Sequence, residues 1–285
     1  MWMILGGLFA VLCLFLAGVA AYDSNRFVTV HYRIRNTAVK KNTRLVLLSD
    51  LHNKRYGEDN RKLLAAIEEA APDMIVCAGD LMTSVPDESM LPAERLVRAL
   101  SGKYPFYYGN GNHEYRIYHQ TDKFGAMGEE YRSVLEGCSV CLLENESIFL
   151  PSRGIRIYGL DLPKEYYRKF RHPVLKGKDL EKWIGKPQQD CYNILLAHHP
   201  TYFEAYADWG AQLALSGHVH GGVVRLPFLG GVVSTSFTLF PKYDGGMFEK
   251  QGKRMIVSRG LGSHTIPIRL FNPAELVVID LCSGE

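Results

Sequence analysis

Asp50-Leu51-His52, Gly79-Asp80, Gly111-Asn112-His113-Glu114, His198-His199-Pro200 and Gly217-His218-Val219-His220 are five short polar clusters in a chain of 285 residues, each closing an apolar run. Together they offer carboxylates, imidazoles and one amide, the ligand types that hold divalent transition metals. Two such ions held close together clamp a phosphate ester and activate water. Asp50 and His52 stand two residues apart. If the backbone is still extended there, both side chains project to one side and grip one ion. His218 and His220 repeat that spacing after a glycine. Asp80 also follows a glycine, which permits the tight turn that exposes its carboxylate. A carboxylate can bridge two cations, and Asp80 is the candidate bridge. Asn112 offers a neutral carbonyl oxygen, a reasonable ligand for a second ion, and His198 closes the run Ile194-Leu195-Leu196-Ala197. Each fragment alone occurs by chance in many chains. Their joint occurrence, in order, carries the weight.

The elements that must position these clusters follow from the pattern between them. Residues 27–35 alternate, with Val28, Val30, Tyr32 and Ile34 on one side and Thr29, His31, Arg33 and Arg35 on the other. That predicts a half-buried strand at a sheet edge. Residues 43–49 form a continuous apolar strand ending at Asp50, and 74–78 form another ending at Gly79-Asp80. Helices are predicted over 59–71, where Leu63, Leu64 and Ile67 share a face and Pro72 stops the run, and over 92–100 and 127–135. Residues 105–108 read as a strand running into Gly109-Asn110-Gly111-Asn112-His113. Residues 140–143 and 146–150 read as a hairpin around Asn145, and 155–160 as a further strand. The polar stretch 164–189 suggests no regular element. Strands over 192–197, 213–215, 254–258 and 275–281 complete the pattern. A βαβα-like first half and a strand-rich second half predict an α/β fold of two packed sheets with helices outside. The ends of buried strands are where such folds place ligands.

Residues 2–21 carry no charged side chain and match the length of a bilayer-spanning helix, with Trp2 and Tyr22 at the two ends. Val19-Ala20-Ala21 would pass as a signal-peptide cleavage site, but no Lys or Arg precedes the run. An uncleaved, single-pass anchor in the cell membrane is therefore expected over 1–22. A juxtamembrane strand or connection is expected over 23–43, and one domain over 44–285. Arg26, Arg33, Arg35, Lys40, Lys41 and Arg44 follow the run. That bias puts the large domain on the cytoplasmic face, with the extracytoplasmic face as the alternative. A net charge of +3, dispersed along the chain, lacks the basic stripe of a nucleic-acid protein. The six cysteines show no disulfide framework, and Cys138 and Cys141 lack the second pair that would complete a zinc site. Nothing in the sequence points to a protein partner.

The order D-x-H, G-D, G-N-H-[DE], a later His and G-H-x-H resembles the signature of the calcineurin-like metallophosphoesterases, and the resemblance covers residues 44–281. It implies a four-layer αββα sandwich and a hydrolase with two divalent metal ions, Mn, Fe or Zn, that works by metal-activated hydroxide. Matched residue by residue, Asp50, His52, Asp80 and His220 would hold the first ion. Asp80, Asn112, His198 and His218 would hold the second. His113 matches the catalytic acid that protonates the leaving oxygen, with Glu114 placed to orient it. Gly221-Gly222, Arg225-Leu226-Pro227 and Ser258-Arg259-Gly260-Leu261-Gly262 look like the membrane-associated bacterial branch typified by YkuE and YaeI, although Val223 stands where that branch often has Gln. Chlamydial relatives of the branch cleave the pyrophosphate of a UDP-linked diacylglucosamine. The resemblance therefore implies a phosphodiester or pyrophosphate bond, including a lipid-linked one. A phosphomonoesterase or protein phosphatase is the alternative, and a non-catalytic scaffold would be expected to have lost ligands. His199 should point away from its neighbour His198 in an extended segment. His264 is a candidate for the substrate mouth, Arg225 for a phosphate contact, and residues 166–171 for a lipid or headgroup contact.

Overall fold

The uninterrupted apolar runs become strands buried on both faces. The structure, a computed structural model, describes residues 1–168, 173–226, 228–234, 238–263 and 266–284. In chain order its strands are β1 (Phe27–Asn36), β2 (Thr43–Leu48), β3 (Met74–Cys77), β4 (Phe106–Tyr108), β5 (Cys141–Leu142), β6 (Ser147–Leu150), β7 (Ile155–Leu160), β8 (Tyr192–Ala197), β9 (Leu213–Ser216), β10 (Val224–Leu226), β11 (Gly230–Val233), β12 (Gly246–Lys250), β13 (Lys253–Val257) and β14 (Ala274–Ser283). One six-stranded sheet runs β1-β14-β2-β3-β4-β5, and a second runs β12-β13-β9-β8-β7-β6. β10 and β11 form a small separate hairpin. The inner strands β2, β3 and β4 are parallel, as are β7, β8, β9 and β13. Their leading ends therefore lie together, and all five clusters fall there.

The helices are α1 (Trp2–Ser24), α2 (Arg61–Ala70), α3 (Leu91–Ser101), α4 (Asn112–His119), α5 (Thr121–Phe124), α6 (Met127–Gly137), α7 (Gly177–Ile184) and α8 (Phe203–Trp209). Three apolar cores separate four layers. Leu63, Ile67, Leu96 and Tyr131 pack helices on the outer face of the first sheet, beside Val46 and Ile75. Leu45, Leu47 and Val76 meet Ile157, Ile194 and Leu215 between the sheets. Leu180, Phe203 and Tyr206 cover the outer face of the second sheet, over Leu195 and Ala214. This is the expected αββα sandwich.

β1 is the sheet edge that its alternation predicts, and it pairs in parallel with β14 along its whole length. Residues 27–36, expected as part of a juxtamembrane strand or connection over 23–43, are therefore built into the first sheet. The expected hairpin around Asn145 does not form. β5 pairs with β4 in the first sheet, whereas β6 pairs with β7 in the second. Asn145 sits at φ 55° where the chain crosses between sheets, and its Oδ1 accepts from the Asp161 amide at 3.0 Å. Local alternation cannot tell such a crossing from a turn. Four helices escaped the sequence pattern, among them α5, a single turn of 4 residues. α4 is short and begins inside the Asn-His cluster, α7 lies in the polar stretch, and α8 is only 7 residues long.

α1 is apolar all round, with a mean hydropathy of 2.6 in its most apolar window and none of that window buried against the protein. At 1.5 Å per residue its 23 residues span about 35 Å, enough to cross a bilayer core.

Leu47 is fully buried between the sheets. Leu47→Ala should cost about 3 kcal/mol, read as a lower urea midpoint with an unchanged slope. A loss below about 1 kcal/mol would show that this core repacks freely.

Candidate metal centre

Asp50 and Asp80 lie just beyond the neighbouring parallel strands β2 and β3, and the Asp50 amide donates to the Gly79 carbonyl at 3.0 Å. Both carboxylates are almost wholly buried. Asp80 Oδ1 accepts from the His113 amide at 2.8 Å, in the first turn of α4, where the helix dipole favours an anion. Asp50 accepts from the His218 amide at 3.0 and 3.1 Å and from the Ser49 hydroxyl.

Around these two carboxylates the imidazoles converge. His52 Nε2 lies 3.8 Å from Asp50 Oδ1, 3.9 Å from Asp80 Oδ2 and 3.3 Å from His220 Nε2. His220 Nε2 is 3.5 Å from Asp50 Oδ1. On the other side, His198 Nε2 is 3.0 Å from Asp80 Oδ2, and His218 completes a compact group with those two residues. Asn112 is buried, and its Oδ1 has no hydrogen-bond partner. The six titratable residues singled out as ligands are thus drawn together, with Asp80 shared by both sides, and Asn112 lies between Gly111 and His113, which both pack on Asp80.

The donor set fits divalent ions. The Ala78 carbonyl lies 2.6 Å from His198 Nδ1, and the Gly262 carbonyl 3.1 Å from His220 Nδ1. A carbonyl only accepts, so it places a ring proton on Nδ1 and turns Nε2 toward the carboxylates. A buried amide oxygen without a donor, as at Asn112, is costly unless a cation takes that role. Burial opposes charge on His198, but Asp80 and Asp50 override it and push this imidazole up to about 10. A divalent ion would feel the same pull in place of that proton. Burial, and then the neighbouring His199 and His198, hold His218 well below the usual imidazole range, in the neutral form a metal requires.

The ligands converge by a different backbone route from the one expected. Asp50, His52, His218 and His220 have φ of 50°, 48°, 71° and 54°. The D-x-H and H-x-H segments are therefore left-handed turns rather than extended strand. Asp80 is also left-handed, at 59°. Such conformations cost on the order of 1 kcal/mol or more each and persist where the surroundings over-determine them. Here close backbone packing does so. A Cβ on Gly79 would strike the Gly111 backbone, and one on Gly217 would strike Ser49 and Asp50.

The sequence profile of the calcineurin-like phosphoesterases matches residues 43–222, which include all seven of these residues and His113. The chain belongs to that family. It is a metal-dependent phosphoric ester hydrolase. YkuE of Bacillus subtilis, an uncharacterized metallophosphoesterase, is 28% identical over 251 residues, covering 84% of this chain and 79% of its own. A transmembrane protein with a metallophosphoesterase domain from Danio rerio is 28% identical over 84% of this chain, which spans about half (53%) of that longer protein. The UDP-2,3-diacylglucosamine pyrophosphatase LpxG of Chlamydia muridarum is 24% identical, covering 83% of this chain and 82% of its own.

Other residues of this phosphoesterase take roles that differ from those expected. Glu114 is engaged at the Asp80 turn. Its fully buried carboxylate accepts from the amides of Asp80 at 2.8 Å, Leu81 at 3.1 Å and Gly111 at 2.9 Å, and from the Tyr108 hydroxyl at 2.7 Å. Burial and the Asp80 charge push its carboxyl up to about 7, while these four donors favour the carboxylate. Glu114 therefore holds the Asp80 turn. Ser84 is what orients His113, with its amide 2.7 Å and its Oγ 3.0 Å from Nδ1. His199 does not turn away from the centre. It stacks on Tyr167 at 5.6 Å between centroids and lies 4.3 Å from the His218 ring. Tyr167 also packs 5.5 Å from His218, and its buried hydroxyl has no hydrogen-bond partner. Expected within the 166–171 stretch as a candidate lipid or headgroup contact, it lies against the imidazoles of the centre. Arg225 is paired with Asp244 at 2.9 Å. His264 and residues 169–171 lie outside the described residues. Among the described residues, no candidate metal cluster contains a cysteine.

Glu114→Gln keeps the volume of the side chain but turns an amide NH2 toward backbone donors. It should weaken Mn binding about 10- to 100-fold in calorimetric titration. Unchanged affinity would show that Asp80 is held by other contacts.

Proposed function

We propose that this phosphoesterase is a membrane-tethered hydrolase of phosphodiester or pyrophosphate bonds that uses two divalent ions, Mn, Fe or Zn. Asp50, His52, Asp80 and His220 would hold the first. Asp80, Asn112, His198 and His218 would hold the second. One observation carries this reading: Asp80 Oδ2 stands 3.9 Å from His52 Nε2 on one side and 3.0 Å from His198 Nε2 on the other. The bound ions would polarise the phosphoryl oxygens and bring the pKa of water near neutrality.

The chain's own groups supply the rest. The Asn112 side chain and the imidazoles fix the position of the phosphoryl group, and the buried walls exclude bulk water. With the Ser84 amide donating to Nδ1, the neutral His113 ring carries its proton on Nε2, which lies 4.0 Å from Asp80 Oδ2. This N–H would donate to the leaving oxygen. To act as the acid the ring would first take a second proton on Nδ1, which Ser84 Oγ can accept as a hydrogen bond, so that giving up the Nε2 proton leaves a neutral imidazole.

Two observations favour a lipid-linked substrate. The relative LpxG is named for a diacylated sugar nucleotide, and α1 is able to hold the site at a membrane. The cations that follow α1 support a cytoplasmic placement of the catalytic domain. A C-terminal fusion should then be active with a cytoplasmic reporter. Signal only from an extracytoplasmic reporter would reverse the orientation.

The full-length protein should lose hydrolysis of bis(p-nitrophenyl) phosphate on treatment with chelator and regain it with added Mn, Fe or Zn. His113→Ala should lower that rate by about 10²- to 10⁴-fold while metal content is kept. Near-normal turnover by metal-stripped protein would refute the mechanism. Faster cleavage of the monoester p-nitrophenyl phosphate would favour the phosphomonoesterase alternative.

A further inference from the structure

The end of α1 is seated on the loops that carry the metal centre. Only Asn25 and Arg26 separate Ser24 from β1, so the joint is short. Lys54 Nζ donates to Asn25 Oδ1 at 3.1 Å, and the Phe27 ring packs edge-on against Tyr56 at 4.9 Å. The Arg269 amide donates to Ser24 Oγ at 3.0 Å. The buried guanidinium of the same residue donates to the carbonyls of Arg259 at 2.8 Å, Gly262 at 2.5 Å and His220 at 3.4 Å. A single residue thus joins the helix end to a ligand-bearing turn. The domain cannot swing freely from its helix, and the side of the domain nearest α1 has a defined relation to any bilayer that α1 enters.

That side is apolar. Beyond Arg269 the chain bonds to the base of the β10–β11 hairpin, through Leu270 N to Val223 O at 3.1 Å and Arg225 N to Leu270 O at 3.0 Å. Phe240 N in turn bonds to Val232 O at 2.9 Å. Besides Leu226, these three tied segments expose six large apolar side chains. Phe228 at the hairpin tip is wholly exposed, Leu229 is 64%, Leu239 67%, Phe240 59%, Ile268 49% and Phe271 40% exposed. Phe228, Leu229 and Phe271 border one open cavity of about 620 Å³. Of its cations, Arg225 is paired with Asp244 at 2.9 Å and Arg259 with Glu275 at 2.6 Å, while Lys242 shares Glu204 with Lys250, at 3.1 and 2.9 Å. The surface therefore offers apolar area with little net charge. A cluster of this kind on a soluble face marks a contact with another apolar phase.

We propose that these six side chains dip into the interface of the same bilayer that α1 crosses, as a second membrane contact that lays the catalytic domain on the lipid surface. The proposal rests on the reading of α1 as an anchor. The occupant is a bilayer because the patch is continuous, through Arg269 and Ser24, with the membrane helix. Its largely paired lining predicts insertion into zwitterionic lipid without any need for anionic headgroups.

The test uses the full chain in phosphatidylcholine nanodiscs, with and without bromine on the acyl chains. Phe228→Trp should add fluorescence that brominated lipid lowers about twofold, as expected for a ring some 5–10 Å into the interface. Phe149→Trp, on β6 at the far edge of the second sheet, should add emission that brominated lipid leaves unchanged. Trp2, isolated by comparison with Trp2→Phe, reports α1 separately. Quenching of Trp2 without quenching at 228 would overturn the docking surface and leave the anchor standing. Absence of both would overturn the anchor and this proposal together. Blue-shifted emission at 228 that ignores the bromine would mean that a protein covers the patch, which also overturns the proposal.

Discussion

Two carboxylates that sit beyond adjacent parallel strands, buried from water, set the terms for everything around them. Left alone, Asp50 and Asp80 would repel each other and take up protons, and burial with the Asp80 charge does push Asp50 up to about 6. The surroundings oppose that tendency at Asp80, where His198, His113 and His52 outweigh burial and hold the carboxyl well below its usual range. Backbone amides at His218 and His113 add donors to the pair. The whole strand-end architecture, with its left-handed turns and close glycine contacts, serves to bring imidazoles to these two acids. A pair of cations satisfies the same charge more completely than protons can.

The same constraint explains what could be read from the residues and what could not. Asp50, His52, Asp80, Asn112, His198, His218 and His220 were legible because each follows a buried strand, and parallel strands bring their ends together. The αββα layering was legible from the continuous apolar runs of β2, β3, β8 and β9. The backbone path to the ligands was not, because i, i+2 spacing suits an extended strand and a left-handed turn equally well until packing chooses. Glu114 looked like a partner for the adjacent His113, but in the first turn of α4 its carboxylate points to the Asp80 turn instead. Tyr167 was marked only as one of a stretch that could meet lipid, since an aromatic in a polar stretch has no period to place it at the centre. Its role exists only through the His198, His199 and His218 rings that surround it.

The helix α1 and the metal centre form one mechanical unit. Arg269, buried among carbonyls and with its guanidinium pushed down to about 10 by that burial, has its charge set against main-chain dipoles and the nearby acids Asp50 and Glu275. It fixes the 259–263 loop against the His220 turn, and its own amide reaches the helix end. The end of α1 and the His220 turn thus share a residue.

Anomalous X-ray diffraction from crystals of the protein grown with Mn tests the central claim most directly. The account predicts two anomalous peaks about 3.5–4 Å apart, with Asp80 between them and Asn112 on one of them only. A single peak, or two peaks with no shared Asp80 oxygen, would contradict it.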